Sequence, residues 1–215
     1  GLGNKSIWIT ETNASPNLDP QWLVTRPQWQ VTLEQQSAFV IQAAALGLAS
    51  GADHIGVYKF FDWSLPPGSE SFGLIRADES RRPAFRSWQT VIAHLNGVTS
   101  AAWAQTPTLD IVRMERSDGN TVIAAWARTA QPAFVTIAAS SDQAAMIDQL
   151  GVIINVHPID GGYAVQLPGA ICNETDHCPR EIPIGGNVTL LVQPTGDGSI
   201  TEMTDSPAPI RFDQN

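Results

Sequence analysis

Residues 5–16 read KSIWITETNASP, and the expected fold is built outward from this stretch. The four residues before Glu11, IWIT, are apolar or β-branched, which is typical of a strand. Glu11 interrupts that pattern, and turn-forming residues follow from Asn13 to Pro16. The sequence therefore predicts a buried strand that ends on a carboxylate and opens a long connection reaching to about Val31.

A helix is predicted after each of two strands. Thr32 can cap the first helix while Gln35 reaches back to it, and apolar residues at helical spacing continue until Gly51. The next strand is HIGVYKFF, residues 54–61, and a second helix begins at Pro83, a favourable first-turn residue. The HIGVYKFF strand shows little alternation, so a parallel sheet covered by helices is expected.

After Pro107 the pattern changes to short β-prone runs separated by turn signals such as Asp118-Gly119-Asn120. These runs are TLDIVRME, TVIAAWA, AFVTIAA, AAMIDQL, VIINVHP, GYAVQLP and VTLLVQ. About seven strands within some ninety residues is the size of a β-sandwich. We therefore predict an α/β region over 1–102, an all-β sandwich over 103–196, and a loose, polar tail over 197–215.

Composition excludes two classes of partner. The net charge is −9, and the only lysines are Lys5 and Lys59, so no basic stripe exists to neutralise nucleic-acid phosphates. No segment approaches the roughly 20 apolar residues of a membrane helix, and no signal peptide is recognisable, so any export signal is expected to lie outside this sequence. An acidic surface with seven Trp is compatible with a neutral ligand such as a sugar.

The two cysteines, Cys172 and Cys178, flank a short loop, CNETDHC. This spacing favours a disulfide formed in an oxidising compartment, which agrees with a secreted or extracytoplasmic protein. A metal site using both cysteines and His177 is an alternative, although the spacing matches no common zinc pattern; free thiols are a third. No cofactor or metal is predicted.

Glu11 is the main candidate for chemistry. In β/α units, functional groups collect where strands end, and a carboxylate there can act as nucleophile, general base or metal ligand. The alternative is an exposed strand-end glutamate with no role. Polar groups of Thr10, Thr12 and Asn13 are expected to hydrogen-bond and orient the carboxylate.

Three tryptophans are candidates for contacts with substrate. Trp63 is predicted at the end of the second strand, where its flat indole can stack on a sugar or pack in the core. Trp22 and Trp29 lie in the connection after Glu11 and can wall the same cleft or hold the loop down. Lys59 is expected to be a buried cation that needs a carboxylate partner, with a structural rather than a catalytic role.

The stretches IWITETNAS, ASGADHIGVYKFFDW and FGLIRADESRRPAFRSWQTV together resemble the last part of a known enzyme class. They are similar to strands seven and eight, with their helices, of retaining glycoside hydrolases of clan A, bacterial members of which carry a C-terminal β-sandwich. The resemblance implies a partial (β/α)8 barrel, with Glu11 as nucleophile and Trp63 as the floor of the sugar subsite. A carbohydrate substrate follows from the same resemblance.

Retaining hydrolysis needs a second carboxyl group, which the family takes from an Asn-Glu pair at strand four. The only Asn-Glu here, Asn173-Glu174, lies in the cysteine loop and is not assigned that role. We therefore expect a C-terminal fragment that is inactive alone, completed by an upstream barrel portion in cis or in trans. The alternative from another class is a non-catalytic carbohydrate-binding or assembly module.

Overall fold

The computed structural model describes residues 5–22, 24, 30–63, 69–172, 184–196 and 198–212. Its first part alternates strands and helices: β1 Trp8–Thr12, α1 Leu33–Ala49, β2 His54–Val57 and α2 Pro83–Leu95. This order confirms the predicted strand, helix, strand, helix. None of the helices within the described residues is long and apolar enough to cross a membrane.

The start of α1 follows directly from its sequence. The Gln35 backbone N–H donates to Thr32 Oγ1 at 3.1 Å, and the Thr32 N–H donates to Gln35 Oε1 at 3.0 Å. These two bonds form the predicted capping box, which satisfies two backbone donors that the first turn leaves unpaired. The helix ends at Ala49, with Ser50 as its C-cap, before Gly51 with φ +83°.

β1 and β2 form a parallel pair with Ile9 opposite Ile55 and Thr12 opposite Val57. One face packs on α1, where an added Cβ at Gly47 would lie 2.7 Å from Ile55 Cδ1, so a small residue is required there. The opposite face is open, and Trp8 is 62% exposed. The expected burial of this pair is therefore wrong for one face, because in the described residues each strand pairs only with the other.

The second part is antiparallel β-structure. All seven predicted strands are present, and three more were not predicted: β3 Val98–Gln105, β11 Ile200–Glu202 and β12 Ala208–Pro209. The predicted seven have these bounds: β4 Leu109–Arg116, β5 Asn120–Ala127, β6 Ala133–Ala138, β7 Ala144–Asp148, β8 Ile153–Val156, β9 Gly162–Leu167 and β10 Thr189–Pro194. The expectation of a loose tail is wrong for β11, which pairs with β6.

These strands form two sheets. The larger has the order β3-β4-β5-β10-β7-β8, and the smaller has the order β12-β11-β6-β9. Their facing sides share one core that includes Leu109, Ile111, Tyr163, Val165 and Ile200. The two sheets therefore lie face to face.

The outer face of the six-stranded sheet is also covered. Met114, Val122 and Trp126 pack in one cluster with Ile41 of α1 and Val91 of α2. Helices, six-stranded sheet and four-stranded sheet thus form successive layers, which explains why β5 is buried on both faces. β3 runs across the expected boundary between residues 102 and 103.

Candidate functional site

The candidate site lies where the carboxyl ends of β1 and β2 meet. The Tyr58 N–H donates to the Thr12 carbonyl at 3.1 Å, so the residue after β2 lies beside the end of β1. Glu11 is the penultimate residue of β1, and its side chain is exposed. Within the described residues it has no hydrogen-bond partner, so the expected bonds from Thr10, Thr12 and Asn13 do not form. The carboxylate is open to an incoming ligand.

Asn13 has a different set of contacts from the one expected. Its Nδ2 donates to the Phe72 carbonyl at 2.6 Å, and its Oδ1 accepts from the Ala14 N–H at 2.8 Å. Gln36 of α1 also donates to the Phe72 carbonyl, at 3.3 Å. Asn13 therefore joins the end of β1 to the connection after β2.

Trp63 does not close a strand. β2 ends at Val57, and the following residues bond elsewhere: the Ile75 N–H donates to the Phe60 carbonyl and the Asp62 N–H to the Ile75 carbonyl. Trp63 therefore lies beyond the end of β2. Its side chain is largely exposed (73%), and its ring centroid lies 5.3 Å from that of Phe61. The strand prediction for residues 54–61 was therefore too long.

Sequence reasoning also missed Tyr58, whose backbone N–H bonds to the Thr12 carbonyl at the end of β1. Tyr58 is 43% exposed, and its ring centroid lies 5.8 Å from that of Phe72. The only sequence signal for Tyr58 was the aromatic run YKFF, residues 58–61, which its pattern assigns to the second strand. Of the other two tryptophans, Trp22 is half-buried, and its backbone N–H donates to the Asp19 carbonyl. Trp29 lies outside the described residues.

A buried charge network joins the two long connections, and it was not predicted. The Arg82 side chain is fully buried: Nε donates to Asp19 Oδ2 at 2.8 Å, and Nη1 donates to Asp62 Oδ2 at 2.6 Å. The remaining donors reach the Gly73 carbonyl and, at 3.1 Å, Ser71 Oγ. Asp19 belongs to the connection after β1 and Asp62 to the connection after β2. One guanidinium therefore holds both connections in place.

Two further cations complete the network. Arg76 binds Asp19 through Nε at 2.7 Å and Nη2 at 3.1 Å. Lys59 Nζ lies 3.5 Å from Asp62 Oδ1, which provides the carboxylate partner expected for Lys59. Burial raises the pKa of Asp19, but hydrogen bonds from Arg76, Arg82 and the Gln21 backbone outweigh that effect and hold the pKa below its ordinary value.

The cysteine loop lies largely outside the described residues. Cys172 is disulfide-bonded. Cys178, the only other cysteine of the sequence, and His177 are not among the described residues. In the part of the chain that is described, no cluster of three or more His, Cys, Asp or Glu could hold a metal ion.

The fold is similar to solved glycoside hydrolases. A family 39 glycoside hydrolase from the gut symbiont Bacteroides cellulosilyticus WH2 aligns over 87% of this chain and 33% of its own length, with a TM-score of 0.62 and 16% identity. The catalytic domain of GH30 xylanase C from Talaromyces cellulolyticus aligns over 90% of this chain and 41% of its own, with a TM-score of 0.53 and 13% identity.

The chain thus spans between a third and about two fifths of these two structures. At such identities the likeness concerns the fold alone. No protein-family model and no curated protein sequence matches the chain.

Proposed function

We propose that this chain is the C-terminal part of a retaining glycoside hydrolase, in which Glu11 is the nucleophile. The observation that carries the proposal is the position of Glu11. Its carboxylate lies at the carboxyl edge of a parallel β/α pair, without a hydrogen-bond partner among the described residues, on a fold similar to glycoside hydrolases. In this proposal β1 and β2 are the last two strands of a (β/α)8 barrel. The two antiparallel sheets are the β-sandwich domain, beginning near residue 103.

The exposed side of the parallel pair supports an incomplete barrel. Within the described residues neither strand has a partner on its outer edge, and Ile7, Trp8 and Tyr58 are exposed by 53%, 62% and 43%. Unpaired edges and exposed large apolar groups are what native proteins normally cover. The upstream barrel portion, in cis or in trans, is the proposed cover.

In the proposed reaction Glu11 attacks the anomeric carbon and the glycosidic C–O bond breaks. A second carboxylic acid, about 5 Å from Glu11 in enzymes of this type, protonates the leaving oxygen. Water then attacks the glycosyl ester, and the second group accepts its proton, which releases the sugar and regenerates Glu11. That second group is proposed to come from the upstream portion, so the chain alone has no turnover.

Aromatic side chains are proposed to bind the sugar. Trp63, largely exposed, offers an indole face, and Tyr58, whose backbone N–H bonds to the end of β1, offers an exposed phenol ring. Asn13 contributes indirectly, because both of its polar atoms are already bonded within the protein. The disulfide at Cys172 supports a secreted or extracytoplasmic location.

The decisive experiment uses the full-length protein and a Glu11→Gln variant. The substitution removes the nucleophile without changing side-chain size, so turnover of aryl glycosides should fall by about four orders of magnitude or more while ligand binding is retained. A 2-deoxy-2-fluoro glycoside should label the Glu11 peptide, which mass spectrometry locates.

Glu34, an exposed glutamate at the start of α1, is the matched control: Glu34→Gln should keep wild-type turnover. Near wild-type activity of Glu11→Gln, or a label on another residue, would show that Glu11 is not the nucleophile.

A second candidate is a non-catalytic carbohydrate-binding module. The exposed Trp63 favours it, because an indole 73% exposed beside Phe61 is a surface that sugars bind. Oligosaccharide binding by a full-length protein that hydrolyses no glycoside would favour this candidate over the first.

A further inference from the structure

β1 contains an irregularity beside Glu11. The register of its pairing with β2 shifts after Ile9. Thr10 and Glu11 together lie opposite the single residue Gly56. Such a two-against-one arrangement is a β-bulge, and bulges near functional sites change the direction in which a side chain points.

The bulge decides on which face of the strand pair Glu11 lies. Side chains of a regular strand alternate, so Glu11, two positions after Ile9, would lie on the Ile9 face. That face is covered by α1, since an added Cβ at Gly47 would meet the Cδ1 atoms of Ile55 and Ile9. Instead, Thr10 and Glu11 are both exposed, whereas Ile9 is half-buried. The extra residue therefore turns Glu11 away from α1, toward the open face.

Gly56 is the residue that permits this bulge. An added Cβ at Gly56 would lie 2.5 Å from the carbonyl oxygen of Thr10 and 3.3 Å from its carbonyl carbon. Both are backbone atoms, so any side chain at this position would fit only if β1 moved. The φ angle of Gly56 is not positive, so the position requires the absence of a side chain rather than an unusual backbone angle.

The carbonyl that Gly56 accommodates belongs to the peptide group that joins Thr10 to Glu11. This group is planar and rigid, so a shift of the Thr10 carbonyl carries the nitrogen and Cα of Glu11 with it. A carboxylate that attacks an anomeric carbon must be aligned with it, and a misplacement of about 1 Å can cost about 100-fold in rate. Gly56 therefore acts on Glu11 through the backbone of β1.

We propose that Gly56 is a positioning residue of the hydrolase: it accommodates the bulge at Thr10 and Glu11, and the bulge directs the Glu11 carboxylate into the substrate cleft. The inference rests on the proposed function, because it takes Glu11 as the nucleophile. It adds to that function a residue on the neighbouring strand that takes no part in the chemistry and without which the nucleophile is misdirected.

The test compares Gly56→Ala with Gly47→Ala in the full-length protein. Both substitutions add one methyl group against the same strand pair, on opposite faces. At Gly47 the methyl group meets Ile55 Cδ1 at 2.7 Å and Ile9 Cδ1 at 3.1 Å, and these side-chain ends can rotate away without moving the backbone of β1. Gly56→Ala should lower kcat for aryl glycosides about 100-fold and change KM less than about threefold. Gly47→Ala should keep the wild-type kcat, whatever its melting temperature.

Cysteine labelling of this chain tests the bulge without any hydrolysis. Cys172 is disulfide-bonded and the sequence has one other cysteine, so the introduced cysteine provides the reactive thiol. Thr10→Cys and Glu11→Cys should react with a maleimide at similar rates, and Ile9→Cys should react about tenfold more slowly, because thiol reactivity follows exposure. Adding Gly56→Ala should slow the labelling of Glu11→Cys.

The outcomes separate this inference from the proposed function. Wild-type turnover of Glu11→Gln would overturn the proposed function, and the catalytic role of Gly56 with it. Loss of turnover in Glu11→Gln, together with wild-type kcat in a folded Gly56→Ala, would overturn the role of Gly56 alone. An equal fall in kcat in both glycine variants would also overturn that role, because the effect would then be a general one.

The labelling decides the matter if Gly56→Ala does not fold. A rate for Glu11→Cys as low as that for Ile9→Cys would show that the strand is regular there and would overturn the inference. A rate equal to that for Thr10→Cys would support it.

Discussion

At the residue scale, Arg82 joins the two long connections that follow β1 and β2. This one guanidinium contacts Asp19 and Asp62, which belong to different connections, and all of these side chains are almost completely buried. A buried ion pair adds little net stability over apolar residues of the same size, but the loss of one partner leaves an uncompensated charge. Arg82 is therefore more important for fixing the loops than for the total stability it adds.

Replacing Arg82 with Met should reduce the free energy of unfolding by about 3–5 kcal/mol, because Asp19 and Asp62 would remain buried while each lost a bond to a buried cation. Urea denaturation of this chain measures the change. Arg86→Met, at an exposed arginine of α2, is the control and should stay within about 0.5 kcal/mol of wild type. A similar small effect of both substitutions would contradict this account of the network.

At the element scale, α1 is the best-specified element, since its sequence encodes both its start and its end. The Thr32–Gln35 capping box forms as the residue types predict, and the helix then covers the Ile9 and Ile55 side of the parallel pair. The strands it covers are less well specified. β1 and β2 are short, and within the described residues they have no other strand as neighbour.

Thr32→Ala should lower the free energy of unfolding by about 1 kcal/mol, because the Gln35 N–H loses its acceptor. Thr32→Ser keeps the hydroxyl and should recover most of that loss. Circular dichroism with urea titration distinguishes the three proteins. If serine were as destabilising as alanine, the capping hydrogen bond would not be the cause.

At the scale of the whole molecule, hydrogen bonds within the folded chain lower the pKa of two carboxyl groups, Asp19 and Glu115. For Glu115, burial raises the pKa, but hydrogen bonds from Thr121, Arg113 and Thr195 outweigh it. The pKa of Asp19 is lowered for the same reason, because hydrogen bonds to its carboxylate outweigh the effect of burial. A carboxyl group with a lowered pKa contributes stability that is present above its unfolded value, about 3.9 for Asp, and lost as pH falls through the folded value.

Asp19→Asn should therefore be clearly less stable than wild type at pH 7, and the difference should shrink as the pH falls below about 4. The reason is that wild type loses the charge on Asp19 over this range, whereas the variant has none to lose. Unfolding free energies from urea titrations at pH 7, 5 and 3 measure this. Asp142→Asn, at an exposed aspartate, should follow the wild-type curve. A difference that stays constant with pH would contradict the role assigned to Asp19.

The sequence alone determined the local features of this protein. The strand–helix–strand–helix order, the capping box at Thr32, the start of α2 at Pro83 and seven antiparallel strands all depend on residues close together in the chain. β3 was missed because its run, VTSAAWAQ, is rich in small residues, and β11 because it lies in a polar tail. Glu11 is a candidate from sequence alone because a carboxylate that interrupts a β-prone run is itself a local signal.

Only the tertiary structure decided which distant groups meet. Asp19 and Arg82 are 63 positions apart, and Asn13 is 59 positions from the carbonyl it binds. The order of the six-stranded sheet and the path of the chain after Val57 depend in the same way on segments far apart in sequence. Local periodicity fixes which residues form an element and which face is apolar. Side-chain contacts between elements depend on how those faces pack, and no short stretch of sequence contains that information.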